Sequence, residues 1–207
     1  RGTCSVFTVT HAIEYAIGKQ QGTDGRLSIE FLNWASNRAI QDKRDGGFFS
    51  DLWKGFEQYG ICNEAEMPYK TDFDPKSQPS QAALDNARRL GETGLQLHWI
   101  KPWDPNRGLN DEQFADVKET LRKQWPVCGG FLWPRKQEWD GAVLRMASRD
   151  EVFDGHSVLL VGFREDPSQR GGGVFLIKNS SNGTQNGALS YEYVRNYMND
   201  AAWIGCE

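Results

Sequence analysis

The sequence predicts an α+β fold in two lobes, the first mainly helical and the second strand-rich and barrel-like. Two observations carry this. Apolar residues recur at helical spacing through the first half of the chain, and from Pro126 onward the pattern changes to short apolar runs broken by Gly-rich turns. Helices and strands segregated in this way form an α+β domain, here one domain over residues 1–207 with a helical lobe over about 1–100 and a strand-rich lobe over about 101–207. The cleft between the lobes is the expected place for an active site.

Taken in order, Val6, Phe7, Val9, Ile13, Ala16 and Ile17 predict a helix over 4–18 that ends near Gly22. Ser28 reads as the N-cap of a helix over 29–40, where Phe31, Leu32, Ala35 and Ala39 share a face. Ser50 reads as the cap of a short third helix carrying Leu52, Trp53 and Phe56 and closed by Gly60. Residues 70–80 are polar and Pro-containing, a surface loop. Helices over 80–91 and 111–124 follow, on either side of a strand at 95–100. Strands are expected at 127–133, 152–163, 173–178, 188–193 and 201–204.

The chain has 207 residues, with 24 Lys plus Arg against 28 Asp plus Glu. A net charge of −4 argues against a general binder of nucleic acid or anionic membrane, which carries a basic excess. At 38% hydrophobic and 12% aromatic residues the chain can build a core. Its longest aliphatic runs, Val158–Val161 and Val174–Ile177, are too short for a membrane span. Arg1 leads into a mixed polar segment that does not resemble a signal peptide. The four cysteines lie far apart with no CxxC pair, so neither a zinc site nor a disulfide scaffold is indicated, and no cofactor is implied.

Three segments carry chemistry. In RGTCSVF, Cys4 stands at a predicted helix N-terminus, where backbone N–H groups and the helix dipole favour the thiolate, the nucleophilic form of the side chain. A lone cysteine there also reads as a small core residue. In DGHSVLLVGF, His156 enters an apolar strand directly after Gly155, which keeps the backbone clear for a substrate. His11 and His98 lack that glycine and serve as controls. In FLIKNSSNG, Asn179 ends a strand, where it can fix a histidine tautomer or serve as an ordinary turn residue. Asn179-Ser-Ser and Asn182-Gly-Thr also match the glycosylation sequon, a pattern short enough to arise by chance. The order of the three, a helix-starting Cys, a strand His and a strand-end Asn, is more specific than any one of them.

In that order the chain resembles the papain-like cysteine peptidases of the C1 type. RGTCSVF stands where that family has CGSCWAF, and LSIEFLNWAS is similar to its second helix. DGGFFSDLWKGFEQYGICNEAEMPY matches its double-glycine stretch, and GHSVLLVGF and FLIKNSSNGTQNGALSYEYV match its His and Asn motifs. The resemblance implies a thiol peptidase with Cys4 as nucleophile, His156 as acid and base, and Asn179 as orienter. It further implies that Gly46 and Gly47 present backbone to an extended peptide or protein substrate, that Phe48 lines the pocket for the second residue before the cleaved bond, and that Gly155 borders the site. Asp154 near that pocket is an alternative determinant, for a basic residue. Amide hydrolysis, acyl transfer and a catalytically silent binding role are alternatives on the same fold.

The chain also departs from the family pattern. Both halves of a family disulfide align with Arg1 and Arg44, which leans towards a reducing compartment. The Trp after the nucleophile is Ser5, and the Trp that shields the Asn–His bond is Ser181. The position of the oxyanion-hole glutamine precedes Arg1, so a pro-segment or another N-terminal segment is an expected partner. Cys62, Cys128 and Cys206 are expected to be structural thiols.

Overall fold

A computed structural model describes residues 1–22, 24–180 and 186–206, and of Asp154 only the backbone. The elements are α1 (Cys4–Gln21), α2 (Ile29–Ile40), α3 (Phe49–Tyr59), α4 (Gln81–Gly91), β1 (Gln96–Lys101), α5 (Asp111–Arg122), β2 (Val127–Pro134), β3 (Trp139–Asp140), β4 (Val143–Leu144), β5 (Val152–Glu165), a 3-10 turn at Arg170–Gly172, β6 (Gly173–Lys178), β7 (Gly187–Ser190), α6 (Tyr191–Tyr197) and β8 (Met198–Gly205). They form an α+β fold in two compact units, Arg1–Gln96 with Cys206, and Leu97–Gly205.

In the first unit, helix boundaries follow capping chemistry. The Ser28 hydroxyl oxygen accepts from the Phe31 N–H and starts α2, and Ser80 does the same for α4 through Ala83. Helix α3 differs from the sequence expectation. Its cap position is Phe48, which makes no side-chain cap bond, and Ser50 lies inside the first turn. Burial of Phe49 at 2% exposure draws the helix start upstream of the better capping residue. Phe31 and Ala35 of α2 pack with Cys62, Met67, Ala83 and Ala87 in one cluster.

The second unit is an open sheet of eight strands among the described residues, ordered β1-β8-β2-β5-β6-β7-β4-β3. All its pairings with a described register are antiparallel except β4 with β7. Every residue of β2 is buried, as befits a strand with neighbours on both edges and cover on both faces. Helix α5 begins with a capping box, Asn110 and Gln113 exchanging side-chain and backbone bonds. Its Phe114 and Val117 join Val127 and Phe131 of β2, Val158 and Leu160 of β5, and Phe175 of β6 in the main core.

The strand expected at 188–193 is only half strand. β7 ends at Ser190, whose hydroxyl accepts from Tyr193 N–H and caps α6. The buried Tyr193 then donates its hydroxyl to the Leu132 carbonyl at 2.7 Å, so the helix buries an aromatic face without stranding the phenol. The short β3 and β4 were not anticipated. Among the described residues, no helix is long and apolar enough to cross a membrane.

Candidate active site

Cys4 is the first residue of α1 and is half-buried. The preceding Thr3 does not cap the helix. Its hydroxyl pairs with that of Tyr69 at 2.9 Å, and no acidic residue occupies the first turn. The N-terminus of α1 therefore carries neither a Thr3 side-chain cap nor a carboxylate in its first turn.

The Gly46–Gly47 turn lies against this segment. Gly46 has φ 96°, and a Cβ there would meet the Gly2 carbonyl oxygen at 2.1 Å, so the backbone conformation and the close approach both require glycine. Gly46 N–H donates to Asn33 Oδ1 at 2.9 Å and Gly47 N–H to Ser5 Oγ at 3.3 Å. Phe48, 45% exposed, follows at the start of α3.

None of the four cysteines is in a disulfide. At the positions where the resemblance implies cystine halves, Arg1 and Arg44 make polar contacts instead. Arg44 Nε donates to Asp42 Oδ2. The Arg1 side chain, 6% exposed, pairs with Glu30 at 2.6 Å and with Asp45 at 2.8 Å. Burial opposes the charge on Arg1, but the bonds to Asp45 and Glu30 outweigh it and hold the guanidinium more firmly protonated than usual. Burial pushes the Cys62 thiol up to about 12 and the Cys128 thiol up as well. Cys206 Sγ accepts from Gln20 Nε2 at 3.0 Å.

In the second unit, His156 is placed by a register break. Phe131 pairs with His156 and Leu132 with Asp154, leaving Gly155 as the extra residue of a bulge. Its φ of 135° suits only glycine, and such a bulge re-aims the side chain that follows it. His156 Nε2 lies 3.0 Å from Asn179 Oδ1, on the residue just past β6. Burial holds the His156 pKa below its usual 6.5, and the Asn179 bond offsets part of that shift. Trp133 of β2, itself buried, lies with its ring centroid 4.5 Å from the imidazole.

The control histidines sit otherwise. His11 packs edge-on against Phe7 and lies 3.9 Å from Glu14, and His98 stacks on Trp203 at 4.0 Å. The structure thus brings Gly46, Gly47 and Phe48 together with the Cys4 segment in one unit, and Gly155, His156 and Asn179 together in the other. The side chain of Asp154, Ser181 and the Asn182-Gly-Thr sequon lie outside the described residues. Sequence reasoning missed Arg1, Asn33 and Trp133. Only Trp133 left a signal, at strand spacing two residues beyond Phe131.

The family model of the papain family cysteine proteases matches residues 2–204. Among solved structures, xylellain, a cysteine protease from Xylella fastidiosa, superposes with a TM-score of 0.74 at 23% identity, covering 100% of this chain and 80% of that one. Digestive procathepsin L 3 of Tenebrio molitor larval midgut gives 0.65 at 18% identity, covering 99% and 63%. The clostridial cysteine protease Cwp84 after propeptide cleavage gives 0.69 at 16%, covering 100% of this chain and about half (53%) of that one. No curated protein matches. With a family match that runs over nearly its whole length, the chain belongs to the papain family of cysteine proteases and is by class a thiol protease.

Proposed function

We propose that this chain hydrolyses peptide bonds with Cys4 as nucleophile, His156 as general acid and base, and Asn179 as the residue that orients His156. The observation that carries the reading is the 3.0 Å contact between His156 Nε2 and Asn179 Oδ1. A carboxamide oxygen only accepts, so Nε2 holds a proton and Nδ1 is left to exchange one with the reacting groups. Nδ1 takes the thiol proton and the Cys4 thiolate attacks the carbonyl carbon. Nδ1–H then protonates the leaving amine, and the neutral ring activates the water that frees the acyl group. Burial around His156 makes its imidazolium a ready proton donor, and the thiolate's charge offsets the cost of holding it. The backbone N–H of Cys4, at the start of α1, donates to the developing oxyanion.

On this reading the extended substrate pairs with the backbone of Gly46 and Gly47, Phe48 lines the pocket for the second residue before the cleaved bond, and Gly155 keeps the approach to His156 clear. Gly47 N–H exchanges its 3.3 Å bond to Ser5, at the long end of the usual range, for a substrate carbonyl. A peptide or protein is the substrate. A pro-segment, as the name procathepsin records for the Tenebrio molitor protein, is a proposed partner.

The test is iodoacetamide labelling followed by mass spectrometry, alongside a fluorogenic peptide library. At mildly acid pH Cys4 labels at least about tenfold faster than it does in His156→Ala, while Cys62, buried and with its thiol pushed up to about 12, stays slow in both. Cys4 labelling unchanged by His156→Ala, with no peptide cleaved, would leave a papain-shaped binding protein.

A further inference from the structure

We propose that Arg1 is a positioning residue for the reaction, its guanidinium locking the turn that carries Cys4 to the loop that carries Gly46 and Gly47. The inference rests on the peptidase reading above, because it assigns those two segments to nucleophile and substrate.

The contacts of Arg1 converge from three parts of the first unit. Nη1 donates to Glu30 Oε2 and to the Lys70 carbonyl, both at 2.6 Å. Nη2 donates to Asp45 Oδ1 at 2.8 Å, and Nε reaches Asp45 Oδ2 at 3.1 Å. The cation also lies 4.6 Å from the centre of the Tyr69 ring. Asp45 completes the lock by accepting the Gly2 N–H at 3.0 Å through Oδ2. One carboxylate therefore ties together a side chain three residues before Cys4, a backbone amide two residues before it, and the residue that enters Gly46. The direct backbone approach of Gly46 to Gly2 lies inside that ring of bonds.

Only a guanidinium can do this. Two carboxylates, a carbonyl and an aromatic face need a planar fork with several fixed donors, and an ammonium offers a point charge. Energetics favour a geometric role over a stabilising one. Exposed ion pairs contribute little to stability, and buried ones are often no better than apolar residues of the same volume. With side chains 6% and 3% exposed, the Arg1–Glu30 pair is of the buried kind. What such a cluster supplies is a defined register between two loops, and misplacing a reacting group by about 1 Å can cost about 10²-fold in rate.

The test replaces Arg1 by Ala or Lys and adds methylguanidinium back. Arg1→Ala lowers kcat/KM by about tenfold or more and slows Cys4 alkylation. Methylguanidinium restores both saturably, methylammonium does not, and Arg1→Lys keeps most of the loss. Amide hydrogen exchange over residues 44–48 speeds up in Arg1→Ala and slows again with methylguanidinium, while exchange in the sheet is unchanged. A loss that no guanidinium rescues, or exchange over 44–48 identical to wild type, overturns the proposal. Asp45→Asn breaks the same lock with a smaller change and decides the matter if Arg1→Ala does not fold. Failure of the wild-type chain to cleave any peptide sinks the peptidase reading, while the exchange comparison still decides the lock.

Discussion

The indole of Trp133 packs against the imidazole of His156, centroids 4.5 Å apart and planes tilted by 59°. The ring that covers the candidate acid and base comes from the neighbouring strand β2, and the bulge at Gly155 turns His156 towards it. Burial is the main cause of the lowered His156 pKa, so opening this contact changes the titration. Trp133→Ala is expected to raise the His156 midpoint back towards 6.5 in an NMR titration. It is also expected to lower stability by about 3–5 kcal/mol, whereas Trp133→Phe keeps most of both.

Gly155→Ala separates strain from clash. The nearest atom to an added Cβ is a Phe153 ring carbon at an ordinary 3.5 Å, so the penalty comes from the backbone at φ 135°. A cost of about 1–3 kcal/mol in urea unfolding is expected, with kcat/KM falling because His156 is re-aimed. Unchanged stability would mean that the bulge relaxes without cost.

Asn179→Ala removes the acceptor from His156 Nε2, a bond worth about 1 kcal/mol, and is expected to lower kcat/KM by about five- to tenfold. It also moves the acid limb of stability. The folded His156 pKa lies below 6.5, so between those two values the unfolded chain holds more protons, and stability rises as pH climbs through that window and levels off above it. Since the Asn179 bond raises the folded value, its loss extends the window to lower pH. Urea unfolding from about pH 4 to 8, read as the difference from His156→Gln, checks the sign.

Ser5→Ala deletes the internal acceptor that competes with substrate for the Gly47 N–H. KM is expected to fall by roughly two- to fivefold with kcat unchanged. A rise in KM would show instead that Ser5 holds the loop in place.

Helix starts marked by a short polar residue were legible in the sequence. Ser28 accepts from the amide three residues on, as its place before an apolar helix face indicates. The same signal was misread at Ser50, where the burial of Phe49 prevailed, and missed at Ser190, where Tyr191 and Tyr193 suggested a continuing strand. In the candidate site, His156 and Asn179 stood out because each is at the edge of an apolar strand, and their side chains meet at 3.0 Å. Arg1 was not, because its carboxylate partners Glu30 and Asp45 stand 29 and 44 residues away and meet it only in the fold.

Strand β5 skips a partner residue twice, at Gly155 against β2 and at Val161 against β6. Between these two breaks, His156, Val158 and Leu160 fall on one face and Ser157 and Leu159 on the other. The five-residue stretch therefore has a fixed parity. Losing Ser157, or gaining one residue inside the stretch, would turn the imidazole to the opposite side of the sheet while leaving every hydrophobic side chain in the sequence intact. In evolutionary terms, the positions that follow His156 here can drift in identity but not in number.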